Sequence, residues 1–126
     1  SHQAPFFQGT GWLTDQGVAG NIVNVPLRAG TDGPGFRAAW ETTILPALDA
    51  FAPEFLILSA GFDAHRADPL AQLRLETEDF AWLTGELAAL ADTHCGGRLV
   101  SVLEGGYDLP ALAASAAAHL RVLMGN

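Results

Sequence analysis

Two short apolar runs limit what this chain can become. Phe55-Leu56-Ile57-Leu58 is bounded by Pro53 and Gly61, and Leu99-Val100-Ser101-Val102-Leu103 lies between Gly96-Gly97 and Gly105-Gly106. Each is too short for a helix, rich in Leu, Ile and Val, and hemmed by turn formers, the pattern of a buried strand. Between and after them the apolar spacing becomes helical. Phe80, Leu83, Leu87, Leu90 and His94 share one face, with Thr77 placed to cap and Glu78 and Asp79 in the electropositive first turn. Asp108 and Pro110 open a last Ala/Leu-rich helix that reaches about Met124.

The upstream half repeats the alternation. Ile22-Val23-Asn24-Val25 predicts a strand ended by Pro26, and Asp32-Gly33-Pro34 opens a helix. Phe36, Trp40, Ile44, Leu48 and Phe51 then fall at helical spacing and are expected to face a sheet, with a kink or broken last turn at Pro46. Residues 1 to 20 read as irregular, punctuated by glycines around Phe6, Phe7 and Trp12. Strand and helix alternating three times means parallel strands joined by right-handed crossovers, an α/β fold. With 126 residues, 49% of them hydrophobic and 16% charged, the chain is long and apolar enough for one domain over 1–126 and is not disordered.

Composition narrows the function classes. The net charge is −8 and the six Lys plus Arg do not cluster, which argues against nucleic acid as a partner. No run approaches the roughly 20 apolar residues of a membrane span, and no signal peptide is visible, so a cytoplasmic protein with no membrane partner is expected. The single cysteine, Cys95, allows no internal disulfide and no multi-cysteine zinc site. It reads as a half-buried structural thiol rather than a nucleophile paired with its neighbour His94.

The chemistry gathers in two loops. Asp63 lies in Ser59-Ala60-Gly61-Phe62-Asp63-Ala64-His65-Arg66-Ala67-Asp68-Pro69-Leu70, after the first run, and Glu104-Gly105-Gly106-Tyr107 follows the second. Open α/β sheets hold ligands beyond the carboxyl ends of their strands. Two parallel strands send both loops to one edge, so Asp63 and Tyr107 are expected to converge. Asp63 is then a metal or substrate carboxylate, with a loop-capping role as the alternative, and one carboxylate cannot hold a metal alone. Asp68, before Pro69, reads as a turn former. Glu104 reads as a structural hydrogen-bonding partner and His119 as a surface or partly buried helix residue.

These segments resemble the zinc-dependent histone deacetylase superfamily, which includes acetylpolyamine amidohydrolases, and are most similar to its class II-like and bacterial members. Ser1-His2-Gln3 with Gly9-Thr10-Gly11 resembles the family's serine-histidine loop and Gly-rich turn. Ser59 to Leu70 resembles its Gly-Phe-Asp segment, and Glu104 to Tyr107 its Glu-Gly-Gly-Tyr loop. The resemblance implies a three-layer arginase/deacetylase-type α/β fold with a mainly parallel sheet, of which this chain is the carboxyl-terminal part. It implies Zn²⁺ in the intact domain, with Asp63 as one of two aspartate ligands beside a histidine. Tyr107 would donate to the oxyanion, and Gly105, Gly106 and Leu70 would line the substrate channel, while His2 would lie near the site. The family's Asp-x-His element and paired histidines are expected upstream of residue 1. His65 is not expected to coordinate metal.

The implied reaction is hydrolysis of an N-acetyl amide on acetyl-lysine or an acetylated small molecule such as an acetylpolyamine, with the isolated chain inactive. The apolar Leu70 favours an acyl-lysine type of substrate, because polyamine-selective relatives place an acidic residue there. Two other readings stay open: a non-catalytic module that forms a homo-oligomer through an exposed sheet edge, and a binuclear-manganese ureohydrolase relative. His65 and the Glu-Gly-Gly-Tyr loop argue against the latter.

Overall fold

The computed structural model describes residues 1–5 and 10–125, so Phe6, Phe7 and Gly9 lie outside the described residues. The first segments are β1 (His2–Gln3) and β2 (Pro26–Leu27), which pair in parallel. The strand expected at Ile22–Val25 is therefore displaced towards Leu27. Ile22 and Val23 are exposed, and only Val25 and Leu27 reach the core. Helix α1 (Gly33–Ala39) begins as expected, with Asp32 Oδ1 accepting from the Gly35 N–H at 3.1 Å.

Pro46 reshapes the next stretch. It has no N–H to offer the Thr42 carbonyl, and the helix widens ahead of it into a π-helical turn, Trp40–Ile44, in which the Leu45 N–H reaches back to the Trp40 carbonyl. Helix α2 (Leu45–Phe51) then ends at Ala52 in the left-handed region, φ 49°. Phe51 is exposed rather than facing the sheet.

Strand β3 (Leu56–Ala60) pairs in parallel with β4 (Leu99–Leu103), residue for residue from Leu56 opposite Leu99 to Ala60 opposite Leu103. Between them runs α3 (Thr77–Cys95), and α4 (Leu109–Leu123) follows β4. The cap of α3 is Glu76, not Thr77. Glu76 and Asp79 form a reciprocal capping box, and Asp79 also takes Arg37 of α1 at 2.8 Å. Asp108 caps α4 through the Ala111 N–H at 2.9 Å. No described helix is long and apolar enough to cross a membrane.

The core lies where Phe36, Trp40 and Ile44 meet Leu58 and Ala60 of β3 and Phe80 and Leu87 of α3. The two runs are covered on one face only, which corrects the expectation of fully buried strands. Ile57, Val100 and Val102 point away from the helices and stay 73%, 47% and 49% exposed. Cys95 is fully buried, its thiol donating to the Pro53 carbonyl at 3.0 Å. His119 is buried too, bridging Thr84 of α3 at 2.7 Å and Ser101 of β4 at 2.9 Å.

Candidate active site

The β3–β4 ladder continues past the strand ends. The Glu104 N–H donates to the Ala60 carbonyl at 3.0 Å and the Phe62 N–H to the Gly105 carbonyl at 2.8 Å. This extra rung places Asp63 against the backbone of Gly105. A Cβ on Gly105 would lie 2.8 Å from the Asp63 Cγ and Oδ2, and one on Gly61 would lie 3.0 Å from Oδ1. Both glycines leave space for one carboxylate. Gly106, at φ +144°, does something different, since a Cβ there would meet Leu112 at 2.9 Å and Phe62 at 3.3 Å. Its role is close packing of α4 onto Phe62 rather than channel lining.

Asp63 is half-buried, and that burial, followed by the nearby charge of Asp68, pushes its carboxyl pKa upward against a backbone hydrogen bond that lowers it. Asp63, Gly105 and Tyr107 line one cavity of about 730 Å³ together with His2, Gly11 and a wall of Phe36, Trp40 and Leu58. The expected convergence on one sheet edge is thus present. Tyr107 is 56% exposed, and the described residues give its hydroxyl no hydrogen-bond partner. The buried Nε2 of His2 likewise has none among them. Leu70 is exposed and outside the cavity wall.

Several residues serve the site in ways the sequence left unread. Asp68 is a turn former, its Oδ1 accepting from the Leu70 and Ala71 N–H groups at 2.9 and 3.2 Å, but its Oδ2 also takes the Tyr107 N–H at 2.8 Å. Gln3 ties the first strand to the Asp63 loop, accepting from the Gln72 N–H at 2.7 Å and donating to its side chain at 3.1 Å. His65 faces Phe80 in a stacked contact, and its Nδ1 accepts from the Ala67 N–H, so it shapes the turn. Glu104 is exposed, and its backbone rather than its carboxylate does the joining.

A protein-family model described as the histone deacetylase domain matches residues 1–123. The chain is 39% identical over 129 residues to "Histone deacetylase 14, chloroplastic" of Arabidopsis thaliana, covering 100% of this chain and 30% of that protein. The chain belongs to the histone deacetylase family. It is also 37% identical over 104 residues to the "Histone deacetylase-like amidohydrolase" of Pseudomonas aeruginosa, over 82% of this chain and 27% of that one. The crystal structure of the HDA15 HD domain superposes with a TM-score of 0.88 at 38% identity, covering 97% of this chain and 34% of that one. This histone deacetylase-family chain spans about a third of the length of the curated relatives it matches. Its helices and parallel strands are therefore part of the arginase/deacetylase fold.

Within this part of the family's fold the metal donors are few. Among the described residues no three His, Cys, Asp or Glu side chains gather to hold an ion. Asp63 has the chemistry of a single ligand, and the described residues do not make a complete metal site.

Proposed function

We propose that this chain is the carboxyl-terminal part of a zinc-dependent amidohydrolase that removes acetyl or other acyl groups from an N-acylated amine. The observation that carries the reading is the shared cavity of Asp63 and Tyr107 at the ends of two paired parallel strands, with Gly105 cleared against the carboxylate. Asp63 is one metal ligand, and the others come from outside these 126 residues. When bound, zinc polarises an amide carbonyl and activates water. The chain's own contribution is the phenol of Tyr107, a residue that lines the cavity, as the O–H donor for the oxygen that gains charge as the carbonyl becomes tetrahedral. The apolar wall of Phe36, Trp40 and Leu58 lowers the local dielectric and strengthens such a donor. Leu70 stands outside the cavity wall, so the choice between acetyl-lysine and acetylpolyamine is left to the assay below.

The test uses the full-length protein that carries this sequence, with zinc, an acetyl-lysine peptide and an acetylpolyamine. Tyr107→Phe is expected to lower kcat by about 10²–10³, and Asp63→Asn to abolish stoichiometric zinc binding. Acetate release unchanged in both variants, or manganese-dependent urea release instead, would overturn the reading.

A further inference from the structure

Tyr107 follows Gly105 and Gly106, two residues without a Cβ, and precedes Asp108, the cap of α4. Gly105 is tied to the Phe62 N–H through its carbonyl at 2.8 Å, but Gly106 beyond it leaves the backbone free to turn, and a hydrogen-bond donor in a reaction must be held in place. The helix cap does not hold it, because Asp108 spends its side chain on Ala111. Among the described residues Tyr107 makes one hydrogen bond, from its N–H to Oδ2 of Asp68 at 2.8 Å, across 39 positions of sequence. Asp68 is buried, 8% exposed, and its other oxygen takes the Leu70 and Ala71 N–H groups. A turn of this kind needs only one acceptor oxygen, and Asn or Ser would supply it. The second oxygen serves the other loop.

We propose that Asp68 is a positioning residue for Tyr107: its carboxylate latches the Asp63 loop to the Glu104–Tyr107 loop and so fixes where the phenol stands. The proposal rests on the deacetylase reading for its catalytic consequence, but the latch itself can be measured without any reaction. A carboxylate accepting from three N–H groups is a strong, directional anchor. Asp68→Asn keeps one acceptor oxygen for the turn and replaces the other with an NH₂ group, while Asp68→Ala removes both.

Tyr107 is the only tyrosine in these 126 residues, and 3-fluorotyrosine placed at this one position of the full-length protein gives a single fluorine resonance that reports its ring. There Asp68→Ala is expected to move that resonance and to speed exchange of the Tyr107 amide by at least about tenfold. Asp68→Asn covers the case in which the alanine variant does not fold. In the full-length protein, Asp68→Asn is expected to lower kcat by about 10–100-fold with KM nearly unchanged. Unchanged Tyr107 exchange and fluorine shift in folded Asp68 variants would overturn the latch. Full kcat in Asp68→Asn beside an impaired Tyr107→Phe would overturn its role in positioning. Full kcat in Tyr107→Phe would instead remove the deacetylase role of the phenol, and the exchange data would still report the latch.

Discussion

The cost of a single methyl group can be read at Gly105. A Cβ there would sit 2.8 Å from the Asp63 Cγ and Oδ2 and 3.1 Å from Oδ1. Gly105→Ala is therefore expected to displace Asp63 and lower kcat of the full-length protein by about a hundredfold, while circular dichroism stays unchanged. His119 makes a second prediction at this scale. The Thr84 hydroxyl donates to the Phe80 carbonyl at 2.6 Å, so the His119 Nδ1–H donates to Thr84. Burial lowers the pKa of the ring below 6.5, and in its neutral form Nε2 accepts from Ser101. Above 6.5 both folded and unfolded states are neutral at this ring; below it the unfolded chain takes up a proton that the folded chain refuses. This residue's contribution to stability is thus full above about 6.5 and falls as pH drops towards the lowered folded pKa, with a slope of at most about 1.4 kcal/mol per pH unit. Denaturant melts of wild type and His119→Gln between pH 7.5 and 5 check it: the two curves should diverge least in acid. The convergence of Asp63 and Tyr107 on one cavity was legible because each follows a recognisable strand-to-loop junction. Asp68's bond to Tyr107 and the Thr84–His119–Ser101 bridge were not, because residue type and spacing carry no record of contacts 18 to 39 positions apart.

Elements were legible where local signals agreed. β4, the start of α1 and the Asp108 cap all stand where their turn residues placed them. The signals failed where two candidates competed. Thr77 is a good cap by type, but Glu76 wins because Asp79 reciprocates three residues on and is itself held by Arg37. Arg37 also lies over the Trp82 ring, so the start of α3 is clamped to α1 by one buried carboxylate. Asp79→Ala removes the box and leaves Arg37 without its partner, and is expected to cost about 2–3 kcal/mol in a urea melt. Ala52 is the converse case. It ends α2 at φ 49° with its N–H on the Leu48 and Asp49 carbonyls, a conformation that disfavours a Cβ. Ala52→Gly is expected to stabilise the fold by about 1 kcal/mol, seen as a rise in Tm of a few degrees.

At the scale of the whole molecule, the uncovered face of the β3–β4 pair governs behaviour in isolation. Parallel sheets are stable when both faces are covered, and here the described helices cover one. Ile57, Val100 and Val102 form a continuous apolar patch on the other, a feature that soluble monomers keep small. The sequence could not separate this one-sided packing from burial on both faces, because the same Val, Ile and Leu suit either. The chain also spans about a third of its relatives' length, so in a full-length protein the patch has far more chain available to cover it. The isolated 126-residue chain is therefore expected to self-associate, with sedimentation velocity showing dimers or larger species at high micromolar concentration. Ile57→Lys with Val102→Lys places two charges on the patch and is expected to return the chain to a monomer with its circular dichroism unchanged. The same pair introduced into the full-length protein is expected to destabilise it, because there the two ammonium groups would be forced out of water. A monomeric wild-type chain, or a full-length protein indifferent to the two lysines, would show that this face is at home in solvent.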